Sequence, residues 1–120
     1  MNGKKNITMT ERKYKTFKDF YPYYLTEHSD KTCRNLHYLG TTGFLILMVK
    51  FILEPSILNF FLMPLCGYFF AWVGHFFFEK NKPATFQYPG FSLMSDFLMY
   101  FHFLTGQINT KLEEAKAKIG

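Results

Sequence analysis

At 120 residues the chain has room for one domain, and its apolar residues are not spread as in a small soluble core. They crowd into residues 36–78, where Lys50 and Glu54 are the only formal charges. The net charge of +5 would suit a nucleic-acid surface, but its cations flank apolar stretches, which sets that reading aside, and two cysteines, Cys33 and Cys66, do not make a disulfide framework.

In chain order, residues 1–11 read as a disordered tail, and nothing in the first 35 residues is apolar enough for a cleavable signal. FKDFYPYYLTEH then sets Phe17, Phe20, Tyr21, Tyr24 and Leu25 at helical spacing, with Pro22 expected to start or kink the helix. The stretch reads as an interfacial segment, aromatic on one side and charged on the other. Ser29 or Asp30 is placed to cap the next helix, which carries Cys33, Arg34, Asn35 and His37 before continuing as a transmembrane helix over residues 36–53. Lys50, near its end, is long enough to snorkel. Glu54, Pro55 and Ser56 form a tight turn into a second transmembrane helix over residues 57–78, which lacks Asp, Glu, Lys and Arg and would be about 30 Å long. NKPATFQYPG, with two prolines and a glycine, predicts a surface loop. Residues 91–105, interrupted by Asp96 and His102, predict a half-buried, re-entrant or third membrane helix, and residues 107–120 a polar helical tail.

The expected fold is therefore all-α, a single integral membrane helical bundle built on an antiparallel transmembrane hairpin with flanking interfacial or re-entrant helices. Lys4, Lys5, Arg12, Lys13, Lys15, Lys18, Lys31 and Arg34 precede the hairpin, and Lys80 and Lys82 follow it. The positive-inside rule then puts both termini of this multi-pass chain in the cytosol, at a bacterial inner membrane or the endoplasmic reticulum depending on the source.

Counting places two histidines together. From Pro55, His37 lies 18 residues back and His75 lies 20 forward, so on antiparallel helices their heights differ by about 3 Å. Gly40 and Gly43 on one helix, and Gly67, Ala71 and Gly74 on the other, let the pair approach closely. His28, nine residues before His37, would lie on the opposite face of a continuous helix, and a break at Ser29 and Asp30 frees it to fold back. Glu79 follows His75 by one helical turn, as a ligand or as the group that holds the imidazole tautomer. Asp96 and His102 are about 240° apart on their helix, so they do not serve one ion; Asp96 is the supporting acid and His102 an interfacial anchor. The plainer alternative makes all these side chains anchors of a non-catalytic, lipid-binding hairpin, and the spacing leaves both readings open.

HSDKTCRNLHYLG has two histidines separated by eight residues, an Asn two before the second and a Gly three after it; WVGHFFFEKNKPA has Gly-His, a Glu four positions on and then Pro-Ala; FSLMSDFLMY follows with its Ser-Leu and Asp. Together they resemble the small membrane family of iron-dependent 2-hydroxy fatty acid dioxygenases, best known from fungal phytosphingosine breakdown and including uncharacterised bacterial members. The resemblance implies α-oxidation, in which a long-chain 2-hydroxy fatty acid and O₂ give the acid one carbon shorter, CO₂ and water. It implies Fe(2+) held by His28, His37 and His75, with Glu79 at the acidic position and Asn35 and Asp96 in support. Arg34, Lys80 or Lys82 would steer the substrate carboxylate, and the acyl chain would run between the helices into membrane lipid. A homo-oligomer is compatible with the sequence.

Overall fold

A computed structural model describes residues 13–119, so the tail expected over residues 1–11 lies outside the described residues. Among the described residues there are five α-helices and no strand. Helix α1 is Phe17–Thr26, capped by Thr16, whose hydroxyl accepts from the Asp19 amide at 3.2 Å. It starts five residues before Pro22 and runs through it, where the sequence predicts a start or a kink. The missing proline N–H forfeits one intrahelical bond, and the aromatic face outweighs that loss: Phe20, Tyr21, Tyr24 and Leu25 are all buried, Phe20 against Tyr88 and Phe91.

After a short break, Asp30 caps α2, Lys31–Leu53, with its carboxylate on the Cys33 amide at 2.9 Å. The hairpin turn is held by polar side chains. Ser56 caps α3, Ile57–Val73, through the Asn59 amide, while the buried Asn59 side chain donates to the Glu54 carbonyl at 2.9 Å and accepts from Lys50 at 3.3 Å. Lys50 thus bonds across the turn, besides any reach toward the interface. The two helices touch backbone to backbone: a Cβ added to Gly40 would lie 3.0 Å from the Gly67 carbonyl oxygen.

The chain continues from α3 without a loop as a π-helical segment, Gly74–Glu79, so the second apolar element is not one regular α-helix. Lys31–Leu53 and Ile57–Glu79 are each long and apolar enough to cross a membrane. Much of their apolar surface is uncovered in the structure, where the core helices of a soluble protein are largely covered; Leu53 is 75% exposed and Ile57 78%.

A 3₁₀ turn at Ala84–Phe86 leads into α4, Pro89–Leu104, and α5, Ile108–Ile119. At 16 residues α4 is about 24 Å long, short of a bilayer core. It packs on α1, α2 and α5, and α5 packs on α1. Phe20, Tyr24, Tyr88, Met99, Leu112 and Ala115 belong to the resulting core. The hairpin and this smaller core meet along the start of α2 and the π segment.

Candidate metal centre

Three imidazoles converge at that junction. His28 sits just past α1, His37 two turns into α2 and His75 in the π segment, with exposures of 1%, 5% and 2%. Their ring centroids are 4.4, 4.4 and 4.9 Å apart, and their potential ligand atoms all lie within 4.8 Å of one another. The break between α1 and α2 that lets His28 fold back is the one expected at Ser29 and Asp30. The matching depth of His37 and His75 follows from the close hairpin. Gly74 permits the last approach, since a Cβ there would lie 2.9 Å from Cys33 Sγ and 3.1 Å from Cys33 Cα.

The hydrogen bonds settle which nitrogen of each ring is free. His28 Nδ1 meets the Tyr24 carbonyl at 2.6 Å, His37 Nδ1 the Cys33 carbonyl at 2.9 Å and His75 Nδ1 the Asn81 side-chain oxygen at 2.7 Å. Carbonyl oxygens only accept, so each Nδ1 carries a proton and donates. The Asn81 amide is oriented independently, because its Nδ2 donates to the Glu27 carbonyl and carboxylate, both at 3.1 Å. Each Nε2 is then a bare lone pair. His28 Nε2 and His37 Nε2 face each other at 3.1 Å. Two lone pairs at that range repel unless a cation lies between them. An ion about 2.1 Å from two imidazole nitrogens at right angles would set them about 3 Å apart, so this donor set fits a metal. Burial holds His28 well below the ordinary histidine pKa, keeping it in the neutral form that a ligand needs.

The other expected residues lie around the cluster or away from it. The Glu79 carboxylate accepts from the Asp30 backbone amide, tying the end of the π segment to the start of α2 rather than touching a histidine. Arg34 turns back to donate to the His28 and Ser29 carbonyls, both at 2.8 Å. Asn35, Lys80 and Lys82 are exposed. Lys80 ends the π segment in the left-handed conformation, φ 63°. Asp96 accepts from the Tyr24 hydroxyl, and Tyr24 in turn stacks on His28 with centroids 4.0 Å apart. His102 is hydrogen-bonded to the Tyr21 hydroxyl at 2.8 Å and is no part of the cluster. Sequence reasoning passed over Asn81 and Tyr24. The signal for Tyr24 was its place four residues before His28, where a helical carbonyl is offered to a following side chain; Asn81 had none beyond its closeness to His75.

A family model described as 2-hydroxy-palmitic acid dioxygenase Mpo1-like matches residues 14–108. The chain belongs to this Mpo1-like family. No curated protein and no solved structure matches it. The Mpo1-like match takes in all three histidines, Asn81 and Asp96, and leaves out nearly all of α5.

Two cavities open from the histidines of this Mpo1-like chain. A small chamber of about 20 Å³ is lined by the three imidazoles together with Tyr24, Ser92 and Asp96. A groove of about 200 Å³ runs between α2, α3 and α4, lined by Thr41, Phe44, Pro64, Gly67, Leu93 and Phe97. His37, Tyr68, Ala71 and Asp96 border both, so the two spaces adjoin. A polar chamber opening on an apolar groove suits a ligand with one polar end.

Proposed function

We propose that the protein is an Fe(II)-dependent membrane dioxygenase that converts a long-chain 2-hydroxy fatty acid and O₂ into the acid one carbon shorter, CO₂ and water. The observation that carries this reading is the set of three buried imidazoles, each with Nδ1 committed to a carbonyl and Nε2 turned inward. The Mpo1-like description supplies the substrate class and the reaction type. Imidazole donors alone suit several transition metals, and the dioxygenase chemistry selects iron among them. Bound there, Fe(II) supplies the one-electron chemistry that lets O₂ react with a closed-shell acid. The acid itself gives up all four electrons needed to reduce O₂, so the balance requires neither 2-oxoglutarate nor a nicotinamide.

The chain's own residues do the rest. The Tyr24, Cys33 and Asn81 carbonyl oxygens fix ring orientation and tautomer, and three ligands leave room for substrate and O₂. The apolar groove takes the acyl chain and keeps water from it. Asp96, at the junction of the two cavities, accepts a hydrogen bond from the 2-hydroxyl. With the hairpin in the bilayer and both termini cytosolic, one membrane domain presents the site where lipid meets water, where an amphiphilic acid already sits.

The test is purification in detergent, iron analysis and an oxygen electrode with 2-hydroxypalmitate. The expected result is iron near one per chain, oxygen uptake matched by pentadecanoate, and loss of both metal and turnover in His75→Ala. Protein that stays metal-free and silent after anaerobic Fe(II) loading would instead be a non-catalytic hairpin; lipid turnover without oxygen uptake would point to a zinc-type hydrolase.

A further inference from the structure

Among the described residues, two buried serine hydroxyls, those of Ser92 and Ser95, have no hydrogen-bond partner. A hydroxyl removed from water and left unpaired is destabilising enough to need a reason. Of the two, only Ser92 lines the chamber that holds His28, His37 and His75. It is 3% exposed, and its backbone amide is already bonded to the Tyr88 carbonyl, so the hydroxyl alone is uncommitted.

Its surroundings define what it would meet. Ser92 lies in the first turn of α4, where the helix dipole favours negative charge, and one turn before Asp96 on the same face. Among the described residues, neither the chamber nor the adjoining groove has a Lys or Arg in its lining. Arg34 is occupied by two carbonyls, and Lys80 and Lys82 are exposed on the outside. The Tyr24 hydroxyl is given to Asp96, and each Nδ1–H to a carbonyl. A carboxylate entering this space meets the Ser92 hydroxyl, buried and free to donate.

We infer that the Ser92 hydroxyl donates to the carboxylate of the bound 2-hydroxy acid, and so selects the acid over its neutral derivatives. The inference rests on the function proposed above. It replaces the cations expected from the sequence with a neutral donor beside the metal centre.

Trp72 is the chain's single tryptophan and lines the same chamber, so its fluorescence reports occupancy. Full-length protein in detergent, loaded with Fe(II) without oxygen, is titrated with 2-hydroxypalmitate and with 2-hydroxypalmitamide. Wild type binds the acid more tightly than the amide. Ser92→Ala loses about 10-fold or more of its affinity for the acid and much less for the amide, the factor that one hydrogen bond to a charged group carries. Ser95→Ala, which removes an unpaired hydroxyl on the same helix away from the chamber, leaves both affinities in place. Ser92→Thr and Ser92→Val, alike in size and differing in the hydroxyl, repeat the comparison should the alanine variant not fold. Acid binding as tight as wild type in Ser92→Ala or Ser92→Val overturns the inference while leaving the dioxygenase reading intact. Wild type that binds neither ligand overturns both.

Discussion

Replacing Asn81 by Ala isolates the one Nδ1 hydrogen bond of the three clustered histidines that a substitution can remove. His28 and His37 donate to backbone carbonyls, which mutation leaves in place, but His75 depends on a side chain. Asn81→Ala removes the 2.7 Å acceptor of His75 and the two 3.1 Å bonds that hold the loop to Glu27. The ring then gains freedom to turn and to place its proton on Nε2, where no metal binds. Loss of such an outer partner typically weakens metal binding 10- to 100-fold, about 1.4–2.8 kcal/mol. The assay is Co(II) titration of metal-free protein in detergent, followed by visible absorption against a competing chelator. His75→Ala marks the loss of a ligand, and Asn35→Ala, at an exposed position, marks no change. Asn81→Asp restores an acceptor to His75 but sets a second carboxylate beside Glu27, so it recovers part of the affinity. Asn81→Ala binding within twofold of wild type, while His75→Ala fails to bind, would refute the claim that the Nδ1 contacts organise this centre.

Gly74→Ala puts a methyl group 3.1 Å from Cys33 Cα and forces α2 and the π segment apart between two of the histidines. It should destabilise the protein by about 1–3 kcal/mol and weaken Co(II) binding in the same titration; unchanged thermal midpoint and affinity would contradict the tight contact. Gly67→Phe fills groove space, since a Cβ at Gly67 meets nothing within 4 Å, and should shift the preferred substrate in a mixed-chain competition toward shorter acids. An unaltered chain-length profile would remove the acyl chain from the groove. Burial pushes the Asp96 carboxyl up from 3.8 to about 7, so the folded protein keeps a proton that the unfolded chain loses. That contribution to stability is full below pH 4 and lost as pH rises through 7, with a ceiling of about 4 kcal/mol at ~1.4 kcal/mol per decade of acidity. Asp96→Asn should flatten the fall in thermal midpoint between pH 5 and 8, and an identical slope would show that Asp96 does not cause it.

The features legible in the sequence are those set by counting along regular helices. Apolar runs on either side of Pro55 define the hairpin, and nearly equal distances from the turn bring His37 and His75 close to one level. A capping residue after His28 announces the change of direction that returns it to the cluster. The features that were not legible depend on departures from α-helical regularity. Glu79 stacks on His75 only if the helix stays α-helical; in the π segment a turn holds more residues, and the carboxylate reaches the Asp30 amide instead. The left-handed Lys80 then reverses the chain and brings Asn81 under the ring that Glu79 was expected to orient. Arg34 misled for a different reason. Its distance from His37 is right for a neighbour, but its long side chain finds two unpaired carbonyls at the broken end of α1 before it finds the chamber.

Those same contacts tie metal binding to the docking of α1. The hairpin alone supplies two imidazoles, and the third arrives only when the aromatic face of α1 is buried against α4 and α5. Arg34 and the pairing of Glu79 with Asp30 hold the linker between α1 and α2 in the shape that points His28 inward. Without an ion, burying three facing lone pairs opposes that docking; with one, the same nitrogens favour it. The free energy of binding a metal at these three nitrogens would therefore also be free energy for closing the small core onto the hairpin.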